Sequence, residues 1–194
     1  MIAAPLRTPA LSEAALATRG SGIRLAAELG SRAFALATSV LLAAGLGVRA
    51  FGVFAAVSSV AVILAELGEL GLQQTASRAL VAGTFSLRAM VRARLALTVV
   101  LVAVAGLAPL LARPDWSGVL PPLILYFGLS GWSEFLGVAL RARGQRIAEA
   151  LVLLALRAAT LVAVVAAVSA GVSLAGLAWA HVAASVAPLL AAAA

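Results

Sequence analysis

The chain has no cysteine and no lysine, and it has only one histidine, His181, and one aspartate, Asp115, in 194 residues. Without cysteine it cannot form disulfides, thiolate metal sites or a cysteine nucleophile. A single histidine and a single aspartate do not make up a catalytic triad or a metal cluster, and no glycine-rich phosphate loop or dinucleotide fingerprint is present. We therefore expect neither an enzyme nor a protein with a cofactor or metal centre.

Charge is also scarce. Charged residues make up 11% of the chain, against roughly 25% in soluble domains. Apolar residues make up 64% of the chain, and the mean hydropathy is +1.14. One globule of this length cannot bury so much apolar side chain, whereas a lipid bilayer solvates it. The sequence predicts an all-α integral membrane protein, with no strand-like alternation anywhere.

The apolar runs set the expected number of helices. Crossing about 30 Å of hydrocarbon takes about 20 helical residues. We expect a cytoplasmic N-terminal tail over residues 1–20, without a removable signal peptide, and a transmembrane lobe over residues 21–194. The lobe is predicted to hold about six transmembrane helices, at about residues 23–46, 51–74, 87–111, 119–141, 145–170 and 172–192.

The arginines give this bundle an orientation. With a cytoplasmic N-terminus, ten of the 14 arginines fall on the cytoplasmic side and only Arg49 and Arg113 on the other, while Arg32 and Arg157 lie inside spans. Short loops rich in arginine stay in the cytoplasm. The pattern predicts that both termini are cytoplasmic, in the inner (plasma) membrane. It also explains the basic composition as a topology signal, so we expect no nucleic-acid partner.

Charges inside a membrane helix cost roughly 2.5–3.5 kcal/mol each and require a partner, water or a function. Arg157 lies about ten residues into the fifth predicted span, with Glu134, Glu66 and Glu69 as candidate counter-charges. Such pairs serve either as fixed bridges between helices or as the wall of a polar cavity that binds an anionic headgroup. Glu28 and Arg32 are spaced to form an ion pair within the first helix.

Two other features have a structural and a functional interpretation. His181 is a lone histidine in an apolar span, for which we favour a neutral, hydrogen-bonded structural role over a proton relay. Arg88, Arg92 and Arg94 accompany apolar residues at the start of the third span. This segment is suited to binding anionic lipid headgroups, or it serves only to set topology.

Three stretches resemble a known family. The turn Leu46-Gly-Val-Arg-Ala-Phe-Gly52, the later Leu70-Gly-Leu72 and the loop Gly137-Val-Ala-Leu-Arg-Ala-Arg-Gly-Gln-Arg146 resemble corresponding segments of the polysaccharide-biosynthesis flippases. These belong to the multidrug/oligosaccharidyl-lipid/polysaccharide exporter superfamily. The order of the stretches along the helices is similar to that of the N-terminal lobe of such carriers.

The resemblance implies a carrier that flips a polyprenyl-pyrophosphate-linked oligosaccharide between leaflets, with Arg32 and Arg157 as cavity residues that hold the pyrophosphate. Carriers of this kind have two pseudo-symmetric lobes, so we expect a fragment or half-carrier that needs a second lobe or a second copy, surrounded by membrane lipids. Two alternatives remain open. One is a structural subunit of a membrane complex, and the other is a drug or small-solute antiporter with a carboxylate site.

Overall fold

The computed structural model describes residues 11–69, 87–111 and 113–193, and these residues form helices and short turns without any strand. The helices are α1 (Leu11–Glu69), α2 (Leu87–Leu111), α3 (Leu120–Ala142), α4 (Arg146–Ser169) and α5 (Leu174–Ala193). The all-α prediction is confirmed for this part of the chain. The helix α1 begins inside the segment assigned to an N-terminal tail.

The long helix α1 is interrupted at one residue. Gly47 has φ 73° and ψ 167°, outside the helical region, and these torsions are open to glycine because it lacks a Cβ. The break separates a first arm, residues 11–46, from a second arm, residues 48–69. A Cβ on Gly30 would lie 3.1 Å from Leu154, and one on Gly45 would overlap Val168, so the first arm runs parallel to α4.

The second arm returns toward the level of Arg32 in the first arm. Glu66 and Arg32 both line cavities that also contain Arg157, while the break lies beside Asp115 and Leu174 at the far end of the molecule. The two arms therefore run in opposite directions. The predicted reversal near Gly47 is confirmed.

The predicted total of six helices is wrong for the described residues, which form five. The first two predicted spans are one element, because helical torsions resume directly after Gly47 and no loop intervenes. By length and composition, four of the helices are able to cross a membrane, at Leu25–Leu67, Arg88–Leu107, Leu120–Arg141 and Ile147–Ser169. The apolar stretch Leu174–Val186 of α5 is shorter.

The helix α3 lies at the centre of the bundle. Half of its apolar span is buried, against 22% for the other three spans. Its residues Leu123, Ile124 and Phe135 have at most 1% of their surface exposed, and at Gly128 a Cβ would overlap Leu101 of α2. Side chains on α3 can therefore reach α1, α2, α4 and α5.

The outer surface is apolar. Leu29, Leu36 and Val162 each expose 60% or more of their surface, a pattern that water would penalise. Lipid is the solvent in which these faces are stable. The described helices thus have the character of a membrane protein on the outside as well as in composition.

Candidate functional site: a polar cleft and an inner chamber

A cleft of about 470 Å³ opens between the first arm of α1, the C-terminal half of α3 and the N-terminal half of α4. Small side chains, including Ala27, Ala35 and Gly137, keep it open. Six charged residues line it in equal numbers of each sign: Glu28, Arg32, Glu134, Arg141, Glu149 and Arg157. A volume of this size suits a ligand headgroup.

Two of the three arginines in the cleft already have carboxylate partners. Arg32 Nη2 lies 3.2 Å from Glu28 Oε1 one turn earlier, which confirms the ion pair predicted from the i, i+4 spacing. Arg141 Nε lies 3.0 Å from both carboxylate oxygens of Glu149, so this pair joins the end of α3 to the first turn of α4. The positive charge of both arginines is thereby largely balanced.

Arg157 differs from these two. It lies 11 residues after the start of α4, which is about 16 Å along a helix and near the middle of a bilayer. Its Nη1 donates a long hydrogen bond of 3.5 Å to the hydroxyl of Tyr126 on α3. Among the side chains that the structure describes, no carboxylate forms an ion pair with Arg157.

A smaller chamber of about 140 Å³, which we call the inner chamber, lies on the other side of Arg157. It is bounded by Val62, Ala65 and Glu66 of the second arm, Phe127, Ser130, Gly131 and Glu134 of α3, and Arg157. Arg157 and Glu134 thus line both the cleft and the inner chamber. The hydroxyl of Ser130 is buried and has no hydrogen-bond partner among the residues that the structure describes.

Two of the three candidate counter-charges of Arg157 lie in the same chamber as its guanidinium. Glu66 and Glu134 share the inner chamber with it, which brings residues of three segments together. The side chain of Glu69 lies outside the described residues. The structure thus gathers Arg32, Arg157, Glu66 and Glu134 around two adjoining cavities.

The three arginines proposed for headgroup binding do not share one face. Arg88 and Arg92 are exposed, but Arg94 has only 4% of its surface exposed, with its guanidinium carbon 5.9 Å from the centre of the Trp132 ring. In the same region Trp132 Nε1 donates a 2.7 Å hydrogen bond to Thr98 Oγ1. Arg94 therefore packs between α2 and α3 and is not exposed beside Arg88 and Arg92.

His181 is buried among aromatic rings. Its ring centre lies 5.5 Å from that of Phe54 and 5.2 Å from that of Tyr126. Its Nδ1 lies 2.9 Å from the carbonyl oxygen of Leu177, and because a carbonyl only accepts, Nδ1 carries the proton. The expected hydrogen bond of His181 is confirmed.

Sequence reasoning missed two residues of this region, Tyr126 and Ser130. Tyr126 is the only tyrosine in the chain and places a phenol hydroxyl inside an apolar span, which was a usable signal because a buried hydroxyl needs a partner. Ser130 gave no such signal, since serine is a common small residue at membrane helix contacts. Only the absence of a hydrogen-bond partner among the described residues distinguishes it.

Among the described residues, no three His, Asp or Glu side chains come together as a metal cluster would require. The polar groups that line the cleft and the inner chamber are guanidinium, carboxylate and hydroxyl groups, and they lie on four helical segments.

Comparison with protein-family models, with curated proteins and with solved structures found no match for the chain.

Proposed function

We propose that this chain is a carrier lobe that flips a polyprenyl-pyrophosphate-linked oligosaccharide across the cytoplasmic membrane, acting with a second lobe or a second copy of itself. The observation that carries the proposal is Arg157, an arginine without a carboxylate partner among the described side chains. It lies in the wall of a cleft large enough for a headgroup.

The chemistry of arginine supports an anionic ligand. The guanidinium remains charged when it is partly desolvated, and its fork of N–H groups matches the oxygens of a phosphate. Arg32 and Arg141 are balanced by Glu28 and Glu149, so among the described arginines of the cleft Arg157 is the one with binding capacity left. Tyr126 would orient it through their hydrogen bond.

The depth of Arg157 suits translocation. A charge near the middle of a membrane is costly unless a cavity or a ligand compensates it, and carriers place their substrate sites close to this level. A site at this depth is about equally far from both leaflets. The headgroup of a lipid would reach it while the polyprenyl chain remains in the bilayer.

The test compares Arg157→Ala and Arg157→Lys with the parent chain in nanodiscs, using undecaprenyl pyrophosphate as the ligand and uncharged undecaprenol as its neutral counterpart. We expect the parent to prefer the pyrophosphate. Removing hydrogen bonds to a charged group costs roughly 1.5–3 kcal/mol, so Arg157→Ala should weaken binding about tenfold or more. Arg157→Lys should fall in between, because lysine keeps the charge and loses the fork.

Arg113→Ala is the matched control, since Arg113 is exposed and pairs at 3.8 Å with Asp115 near the opposite end of the bundle. It should bind like the parent. Equal binding of the two ligands, or normal binding by Arg157→Ala, would contradict the proposal. A loss of folded protein in both Arg157 variants would instead favour the alternative in which Arg157 and Tyr126 only hold a subunit together.

A further inference from the structure

One face of the first arm of α1 stays exposed in the described bundle. Its residues are spaced alternately four and three apart, which is the heptad pattern of helices that pack side by side. The opposite face, with Ser31, Thr38 and Leu42, is buried. We call the exposed face the seam, and it consists of Leu25, Leu29, Arg32, Leu36, Ser39 and Ala43.

The seam carries charge at a level where lipid tails do not solvate it. The Arg32 side chain is 77% exposed and that of its partner Glu28 is 45% exposed. A Cβ on Gly30 would lie 3.1 Å from Leu154. Arg32 is therefore about level with Arg157, inside the bilayer. The leucines of the seam are stable in lipid, but an exposed ion pair at this depth is costly, so the seam requires polar cover.

The arrangement of the two charges selects the partner. Two copies inserted in the same orientation are related by a two-fold axis along the membrane normal, and each copy then presents the same face to the other. The two Glu28–Arg32 pairs would meet at the same depth, where two arginines and two glutamates balance. Each long arginine side chain would gain a second carboxylate nearby. A face with both signs one turn apart is thus complementary to itself.

We propose that the seam is the surface on which two copies of this chain pack against each other in the membrane. The heptad spacing suits a crossing angle of about 20°, which is common between membrane helices. Glu28 and Arg32 also line the cleft, so the interface would border the cleft of each copy. This inference rests on the proposed function only in taking a second copy as the partner, and it does not depend on what the cleft binds.

The absence of cysteine from the chain makes the interface testable by disulfide cross-linking. The whole chain with Ser39→Cys is reconstituted in lipid vesicles and oxidised with copper phenanthroline. Two cysteines that face each other across the axis lie close enough to form a disulfide. We expect a species of twice the chain mass on a non-reducing gel, and it should persist when the protein is diluted with lipid.

Val162→Cys is the matched control. Val162 is 68% exposed on α4, and it is about level with Ser39 because the first arm and α4 run parallel with Gly45 beside Val168. It differs from Ser39 in lying outside the seam. We expect the Val162→Cys chain to stay monomeric under the same oxidation.

A charge reversal tests the self-complementarity. Glu28→Arg in the Ser39→Cys chain would bring four arginines together at the axis. Like charges in contact weaken association by about tenfold or more, so the cross-linked fraction should fall on dilution with lipid. The swap Glu28→Arg/Arg32→Glu restores two charges of each sign and should cross-link like Ser39→Cys alone. It also keeps the net charge, which controls for a general effect on folding or insertion.

The proposal is overturned if Ser39→Cys does not cross-link, or if Ser39→Cys and Val162→Cys cross-link equally, as random collision would give. It is also overturned if Glu28→Arg leaves cross-linking unchanged, or if the swap cross-links no better than Glu28→Arg. These outcomes are independent of the binding test on Arg157. Failure of the interface and failure of the proposed function are therefore distinguishable.

Discussion

At the scale of single residues, helical periodicity determines which charges reach the surface. Each helical residue turns the chain by about 100°. Arg88 and Arg92 therefore lie about 40° apart, while Arg94 lies about 200° beyond Arg92, on the face that packs against α3. The different direction of Arg94 could have been predicted from the spacing alone. Its contact with Trp132 could not, because Trp132 is 38 residues further along the sequence and the contact follows only from the packing of α2 on α3.

The hydrogen bond between Trp132 Nε1 and Thr98 Oγ1, 2.7 Å long, is testable by Thr98→Val, which keeps the side-chain shape and removes the acceptor. The indole N–H would then lose its partner between two helices, where water is scarce. We expect a loss of about 1–3 kcal/mol of unfolding free energy, measured by denaturant unfolding in detergent micelles.

The double variant Thr98→Val/Trp132→Phe is the control for this loss, because it removes the donor as well as the acceptor. It should be less destabilised than the sum of the two single variants. Additive effects would show that the two side chains do not interact, contrary to the geometry.

At the scale of elements, one glycine turns a long helix into two antiparallel arms. The sequence predicted that the first span ends at residue 46 and the second begins at residue 51, and the structure places the reversal at Gly47. The predicted loop is absent because Val48 and its successors return at once to helical torsions. Predicting this detail required backbone torsions, since Gly45 and Gly47 are equally good candidates in the sequence.

Replacing Gly47 with alanine should therefore destabilise the fold. A residue with a Cβ at φ 73° and ψ 167° costs on the order of 1–3 kcal/mol. Gly52→Ala is the matched control, because Gly52 is helical and a Cβ there has nothing within 4 Å. It should be neutral or stabilising by up to about 1 kcal/mol. Equal Tm values for the two variants in detergent would contradict the role of Gly47.

At the scale of the whole molecule, the two ends of the bundle differ in charge. Arg49 and Asp115 lie at one end beside the break in α1, while Arg141 and Arg143 lie at the other, where α3 meets α4. This arrangement agrees with the uneven distribution of arginines from which we predicted that both termini are cytoplasmic. The orientation itself stays a prediction, because it depends on which side of the membrane each end faces.

The absence of cysteine makes that orientation directly measurable. Val48, 92% exposed, and Gln145, whose side chain caps nothing, are suitable sites for single cysteines without background labelling. A membrane-impermeant maleimide should label Val48→Cys in intact cells and Gln145→Cys only after permeabilisation. The reverse result would invert the positive-inside assignment, and labelling of both from one side would contradict the membrane-spanning arrangement.

The sequence by itself determined the all-helical membrane character, the bounds of α2, α3 and α4 to within about one residue, and the Glu28–Arg32 pair. These properties depend on local composition and spacing, which a linear chain displays. Only the tertiary structure decided that Arg157 bonds to Tyr126 and, among the described side chains, to no glutamate. It also decided that Arg94 is buried and that Ser130 has no hydrogen-bond partner among the described residues. Each of these depends on which face of one helix meets another, and that is set by packing between segments far apart in the sequence.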